Sequence, residues 1–325
     1  MSGITLFDRK WDLQFSTTKV NINLSNLQFE FNTTAWVSGT PKILRLRIWN
    51  PLPKTILPLQ TEGAQIVLQA GYQKGQYGII FSGQVIQTRT GRTNGTDTYI
   101  DITASDGDMF YTSGFISTAI YPEATGLENR IFQIVENTQL PSGQMTINPS
   151  DVVIDTSTST NNILPRGRVY FGMAKDHLRA AARNVGATYE ISGTEAKVLS
   201  TNLSKNLPIP VFNYKTGLIG TPVQTLEGIE FQVLLNPMIV QGMTVQMNSN
   251  AIAKKEAQIL PGGGAQGYSP SLIPQVAQDG LYKVLYCNHK GNTRGNDWYT
   301  TIVGYNPVNL NKNQSPFLGA SVEDV

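Results

Sequence analysis

The chain is short of charge, of cysteine and of histidine, and each shortage removes a class of function. Charged residues make up 15% of its 325 residues, against roughly 25% in an average soluble protein. With a net charge of +2 and no basic block, it lacks the phosphate-neutralising surface of a dedicated nucleic-acid binder. Cys287 is the only cysteine, so no internal disulfide can form, which fits assembly in a reducing cytosol. No apolar run approaches the roughly 20 residues that span a bilayer. Met1 to Trp11 carries Asp8, Arg9 and Lys10 and does not read as a signal peptide.

The missing charge is replaced by Asn, Gln, Ser, Thr and Gly, while 40% of residues are hydrophobic. That is enough for two or three domains with a sizeable core. A neutral polar surface suits permanent packing against other subunits, because burying a charge costs far more than burying an amide that finds a partner. A secreted β-protein of ordinary polar composition is the alternative that composition leaves open.

Period-2 alternation marks strands at Leu27–Phe31 and Ile43–Ile48, with more at Ala64–Ala70, Ile79–Thr88 and Thr98–Thr103. Pro51–Gln60 has room for a short helix. The middle differs. Pro122-Glu123 followed by Leu127, Ile131, Ile134 and Val135 has helical spacing, with proline and acid at the favoured end. Met173–Val185 reads as a second helix stopped by Gly186, flanked by strands at Arg168–Phe171, Ala187–Ser192 and Ala196–Ser200. From Leu203 the β character returns, at Ile229–Leu235, Met243–Asn248, Leu281–His289 and Trp298–Val303. The Gly/Pro-rich stretch 261–280 reads as a long loop, and the polar residues after Pro307 as a tail.

An internal repeat is the most informative feature. Gly91-x-Thr93-x-Gly95-x-Asp97-x-Tyr99 recurs as Gly291-x-Thr293-x-Gly295-x-Asp297-x-Tyr299, with Val85-Ile86 and Val284-Leu285 upstream. Earlier in each copy an alternating strand halts at Asn-Pro, Asn50-Pro51 and Asn236-Pro237. The glycines suit positive φ at a hairpin tip, and the Thr and Asp suit local backbone hydrogen bonds. The expected fold class is therefore mainly β with an α+β insert: two β-barrels related by internal duplication (1–115 and 203–325) around a small α+β domain (116–202). The longer second copy is accounted for by the 261–280 loop.

Residues that carry chemistry are scattered. Cys287-x-His289 offers two metal ligands where three or four are needed, and His177 stands apart on the second helix. Asp106-Gly107-Asp108 resembles the start of a calcium loop but lacks the later oxygen ligands, so it reads as a turn. Gly217–Pro222 is glycine-rich without the lysine of a phosphate loop. Glu123, Glu128 and Asp151 are carboxylates of the kind a glycoside hydrolase uses, with nothing to single them out. Trp36, Trp49 and Trp298 sit on or beside alternating strands, where packing is the commoner fate. No catalytic, cofactor or metal site is assigned, and the chain is read as non-enzymatic.

The stretch Gly217-Leu218-Ile219-Gly220-Thr221-Pro222, continuing to Gly228-Ile229-Glu230-Phe231-Gln232-Val233-Leu234-Leu235-Asn236-Pro237, resembles a signature of phage baseplate hub proteins. So do the glycine-marked strand Gly242–Val245 and the hairpin Tyr282–Tyr305. The likeness covers residues 205–305 well and the rest in order only. It implies two tail-tube-like barrels per chain and a homotrimeric ring in the virion. Such a ring adapts a sixfold tail tube to a threefold central spike, beside tube-initiator and wedge proteins. It implies assembly in the host cytoplasm, no membrane insertion, and DNA only in passage through the lumen during genome ejection. Two other classes stay open: a tail-associated peptidoglycan-degrading enzyme, and a receptor- or carbohydrate-binding tail module.

Overall fold

The computed structural model describes residues 7–37, 39–61, 63–93, 95–120, 127–141, 143–152, 167–200, 209–224, 228–247 and 280–306. The first part contains β1 (Arg9–Ser16), β2 (Asn21–Asn23), β3 (Phe29–Trp36), β4 (Ile43–Trp49), α1 (Pro53–Leu59), β5 (Gln65–Tyr72), β6 (Tyr77–Thr93) and β7 (Asp97–Ser105). The middle follows with α2 (Asp108–Ser113), β8 (Phe115–Ile120), α3 (Leu127–Glu136), β9 (Thr138–Leu140), β10 (Gly143–Gln144), β11 (Thr146–Val152), β12 (Arg168–Met173), α4 (Ala174–Asn184), β13 (Ala187–Ser192) and β14 (Glu195–Ser200). The last part holds β15 (Val211–Phe212), β16 (Leu218–Gln224), β17 (Ile229–Leu234), β18 (Thr244–Met247), β19 (Leu281–Asn292) and β20 (Trp298–Tyr305). The expected mainly β class with an α+β insert is what forms. The helix start expected at Pro122-Glu123, the loop residues 261–279 and the tail 307–325 lie outside the described residues.

The middle folds on its own core. Ile131, Ile134 and Val135 of α3 and Leu178, Ala181 and Ala182 of α4 pack with Tyr189, Ile191 and Val198. Helix α4 ends as the sequence suggests: Gly186, at φ +63°, follows the cap residue Val185, and its N–H donates to Arg183 O at 3.0 Å. Sheets β10-β9-β8-β12 and β11-β14-β13 flank the helices.

The first and last parts share one thirteen-stranded sheet, in the order β16-β17-β20-β19-β3-β4-β7-β6-β5-β1-β2, with β18 and β15 branching from β19. Within it, β3-β4-β7-β6-β5 is repeated by β16-β17-β20-β19-β18, each neighbouring pair antiparallel. The repeat extends to local irregularities. A bulge interrupts the β6–β7 ladder between Val85 and Gln87, and another interrupts β19–β20 between Val284 and Tyr286. Gly63 (φ +76°) donates its N–H to Val85 O at 2.9 Å, and Gly242 (φ +77°) donates to Val284 O at 2.8 Å. These glycines, which share no motif in the sequence, hold the same backbone role. The copies diverge at one border, where β1 is antiparallel to β5 but β15 is parallel to β18.

The register corrects the sequence alignment by one residue. Gly91 faces Tyr99, whereas Gly291 faces Trp298 and it is Lys290 that faces Tyr299. Counted from the bulges, Gly91 matches Lys290; Asp97 and Tyr99 match Asp297 and Tyr299, because the second tip is one residue longer. The Asn-Pro pairs are also one step out, since Trp49 and Leu234 occupy the matching positions opposite those tyrosines.

The motif glycines act differently from expectation. Among Gly91, Gly95, Gly291 and Gly295, only Gly95 has positive φ, at +78°. A Cβ at Gly91 would run into the Tyr99 ring, and one at Gly291 into the rings of Phe31 and Trp298. Those two glycines make room for aromatics.

A left-handed backbone costs an L-residue about 1–2 kcal/mol, so Gly63→Ala, with nothing near the added methyl, should lose about that much. Gly242→Ala should lose more, because its Cβ would lie 2.7 Å from Leu199 Cδ1. Urea midpoints of the two variants give the ranking, and equal losses would remove the steric part of the argument.

Candidate functional site: a polar face on the shared sheet

Strict alternation gives the central strands one apolar and one polar face. On the buried side lie Phe29, Phe31, Leu44, Leu46, Ile48, Ile100 and Ile102, and further along Phe231, Val233, Cys287 and Ile302. Glu30, Asn32, Arg45, Arg47, Asp101, Thr103, Asn288, Lys290, Thr301 and Gln232 alternate with these and are left partly or fully exposed.

The polar face is organised in cross-strand rungs. One rung runs Asn292–Glu30–Arg47–Asp101–Arg89 through five strands, so opposite charges stand side by side, the arrangement that stabilises a sheet surface. Arg47 Nε donates to Asp101 Oδ1 at 2.6 Å and Nη2 to Oδ2 at 2.9 Å. These bonds to Asp101 push the Arg47 pKa upward, and its guanidinium lies 4.5 Å from the centre of the Tyr99 ring. Glu30 accepts a bond from Trp49 Nε1 at 3.1 Å, and Lys290 pairs with Asp297 at 2.7 Å. Beside them Asn288 donates to Asn32 at 2.6 Å. The same strands line a shallow depression of about 660 Å³. On this face Arg45, Arg47, Arg89 and Lys290 stand among Glu30, Asp97, Asp101, Asp297 and Glu230. Four cations against five anions leave the face charged yet close to neutral in sum.

Beneath it the two repeats are fastened to each other. β19 pairs with β3 from Tyr286↔Trp36 to Asn292↔Glu30. The Thr293 hydroxyl, expected to fix its own turn, instead accepts the Phe29 N–H at 3.1 Å across the junction. Trp298 is 3% exposed and, with Leu235, belongs to the core of the first repeat. It packs edge-on against Trp11 and Phe31, with ring centres 6.0 and 5.7 Å apart. Arg9 reaches over it to donate to Gly295 O at 2.6 Å. Nothing local in the sequence marks this seam, since no period says which strand a free edge will meet. Gly217–Pro222, glycine-rich in the sequence, is mostly the bulged strand β16.

The sequence candidates are used structurally. Cys287 Sγ lies 3.4 Å from His289 Nε2, and His289 Nδ1 lies 2.9 Å from Thr300 Oγ1, all at the seam. Burial pushes the Cys287 thiol up to about 12 and His289 down to about 3, so both stay neutral, the reverse of what a thiolate–imidazolium nucleophile needs. Asp106 is buried and accepts Gly193 N–H at 2.7 Å and Ser192 Oγ–H at 3.0 Å. Its oxygens tie the sheet to the insert. Glu190, whose pKa burial raises, accepts a bond from Gln241 and ties the insert to the second repeat. His177 contacts Phe171 O at 3.1 Å. Glu123 lies outside the described residues, as do the side chains of Glu128 and Asp151. Trp36, 39% exposed, packs at a tilt against Tyr286 with ring centres 4.4 Å apart; Trp49 meets Tyr99 at 5.9 Å.

Two solved structures share this architecture over nearly their whole length. The tail protein from Neisseria meningitidis MC58 aligns with 92% of this chain and 97% of its own at TM-score 0.56 and 7% identity. The 43 kDa tail protein of prophage MuSo2 from Shewanella oneidensis gives the same coverage and TM-score at 8% identity. The chain has the fold of these tail proteins. No family model matches its sequence, and no curated protein does.

His289 gives the seam a pH signature. Its folded pKa lies below the ordinary value near 6.5, so the unfolded chain binds the proton first and stability is lost as pH falls from about 6.5 toward 3. Asp106 and Glu190, shifted upward by burial, push the other way, so the comparison must be internal. Relative to His289→Gln, the natural protein should lose up to about 1.4 kcal/mol per pH unit below pH 6. Denaturant titrations at pH 7, 6 and 5 measure it, and parallel curves would contradict the assignment.

Proposed function

We propose that this chain is a structural baseplate hub subunit of a phage tail, and that three copies close a ring between a sixfold tail tube and a threefold spike. The observation that carries this reading is the duplicated strand order within one continuous sheet. Two similar units in each of three chains present six similar surfaces to the tube while keeping threefold symmetry for the spike. The shared fold with tail proteins supports the same class. The partners are then a central spike, tube or tube-initiator proteins and wedge proteins, with assembly in the host cytoplasm and residence in the virion.

The polar face is the lumen lining in this reading. Eight strands from β16 to β6 lie side by side in each copy, so three copies supply three times eight, 24 strands. At about 4.8 Å between strands and a tilt near 40°, such a cylinder is roughly 45–50 Å across between backbones, ample for an aqueous channel. A lining whose cations are matched by anions lets DNA pass without the counterion release that would hold it.

Mass measurement and electron microscopy of the purified chain should find a closed trimer, alone or with its tube and spike partners; a monomer under all these conditions sinks the reading. Cell-wall clearing by the purified chain would favour the enzyme class instead. In the combined variant Glu30→Gln, Asp101→Asn, Asp297→Asn, duplex DNA should be retained at 50 mM salt and released by 200 mM, a loss of affinity the natural ring should not display. Equal DNA binding by both proteins would mean the face does not line the passage.

A further inference from the structure

The insert carries an open sheet edge of its own. In the order β10-β9-β8-β12, strand β12 has β8 on one side and no strand on the other among the described residues. Ala174 donates its N–H to Gly114 O at 2.9 Å, just beyond the pair Met173↔Phe115. Hydrogen-bonded and non-bonded pairs alternate along an antiparallel ladder, so Arg168, Tyr170 and Gly172 bond to β8. Val169 and Phe171 therefore turn their N–H and C=O groups away from it. Phe171 O meets His177 Nε2 at 3.1 Å, and a carbonyl with two lone pairs can take a second donor. The side chains on this edge are bare. Val169 and Phe171 are 73% and 71% exposed, more than any other large hydrophobic side chain on a described strand. Tyr170 between them is buried. The Phe115 ring stands edge-on to Phe171 at 5.2 Å, and Met173 lies opposite Phe115, which makes one apolar strip. The only charge on the strand is Arg168, at its first position and in no ion pair among the described residues. A single charge at one end leaves the edge poorly guarded.

We infer that the tail of the same chain covers this edge, with residues 318–323 added as a strand antiparallel to β12. The inference concerns the single chain and does not depend on the ring. In Leu318-Gly319-Ala320-Ser321-Val322-Glu323 the apolar residues recur at every second position and an acid follows them. Setting Glu323 opposite Arg168 fixes the rest of the register. Val322 then meets Val169, Ala320 meets Phe171, and Leu318 meets Met173, all on the exposed apolar strip. The small side chain of Ala320 leaves room for the Phe171 ring. A slip of one residue would set Ser321 or Glu323 beside Val169 and turn the apolar residues to the other face. Charge and apolar pattern thus select the same alignment, and main-chain bonds to Val169 and Phe171 supply the attachment, as in strand addition generally.

The tail leaves the large sheet beside the insert. Gly304 pairs with Val284, which accepts the Gly242 N–H, and a Cβ on Gly242 would lie 2.7 Å from Leu199 Cδ1 of the insert strand β14. Tyr305 and Asn306 follow Gly304, so residue 307 starts within a few residues of the insert. The eleven residues 307–317 span up to about 36 Å when extended. A domain of the insert's size is roughly 30 Å across, so β12 is within reach.

The test is a disulfide within the chain. Paired Cα atoms in an antiparallel ladder lie about 4.5–5.5 Å apart, within the reach of a disulfide, and Cys287 is buried. The full chain carrying Val169→Cys and Val322→Cys should close an intrachain disulfide on mild oxidation. Val169→Cys with Leu318→Cys, displaced by four residues or about 13 Å, should not. No disulfide in the first register, or one formed only between chains, overturns the proposal. Amide exchange on the unmodified chain gives an independent measure. The N–H groups of Val169 and Phe171 should exchange at least tenfold more slowly than in a chain shortened after Gln314. Equally fast exchange in both would mean the edge is bare, and equally slow exchange that another segment or a partner holds it; either result overturns the proposal. Arg168→Glu should lose the protection and Arg168→Glu with Glu323→Arg should regain it, and failure to regain it overturns the register.

Discussion

The β19–β3 seam is the interaction on which the rest of the molecule depends. Without it the two repeats would each end in an open sheet edge, and a string of unpaired N–H and C=O groups would face water or another protein. The seam removes that liability twice over, by backbone pairing from Tyr286 to Asn292 and by sending Trp298 of one repeat into the core of the other. Burying a tryptophan's 150–250 Å² contributes at most about 4–6 kcal/mol at the usual area coefficient, a large share of the net stability of a domain. Phe31, Trp11 and Arg9 shape the pocket, and Gly291 has no side chain because the rings need the space.

Sharing a sheet also decides where polarity goes. Once β3, β4, β7, β6, β19 and β20 lie side by side, their period-2 patterns must agree across the seam or the core would be broken. They do agree, and the consequence is a continuous polar face. Its Glu30–Arg47–Asp101–Arg89 rung neutralises itself locally. The low charge content of the chain is thus compounded by pairing, and a face built mostly of Asn, Gln, Thr and matched charges offers little to a polyanion. Exposed pairs of this kind add little stability; their effect is on the field above the sheet.

Much of this was legible in the sequence because alternation and helical spacing are local signals. The strands around Ile43–Ile48, Leu281–His289 and Trp298–Val303, the helix stopped at Gly186 and the echo of the two hairpins are all present. The echo misled by one residue at the tip: identical letters at Gly91 and Gly291 serve different rings, while the match of Val85-Ile86 with Val284-Leu285 holds, because the two bulges fall there. The seam was invisible, since strand partners far apart in sequence leave no period to read. Thr293 and Asp106 illustrate the same limit. Each looks like a turn residue, and each spends its oxygen on a segment remote in the chain, Phe29 for one and Ser192–Gly193 for the other.

The differences between the repeats carry as much meaning as their likeness. The common strands β3-β4-β7-β6 and β16-β17-β20-β19 are the ones whose polar faces join, so they must resemble each other for the sheet to continue. Away from that face the constraint lapses. The first copy inserts α1 after β4 and closes β5 to β6 in a tight turn, whereas the second has no helix between β17 and β18 and spends residues 248–279 between β18 and β19. Duplication under these conditions conserves backbone register, bulges and left-handed glycines such as Gly63 and Gly242, and leaves side-chain identity free. Two copies with little common sequence can therefore continue one sheet, because what passes across the seam is a spacing of hydrogen bonds.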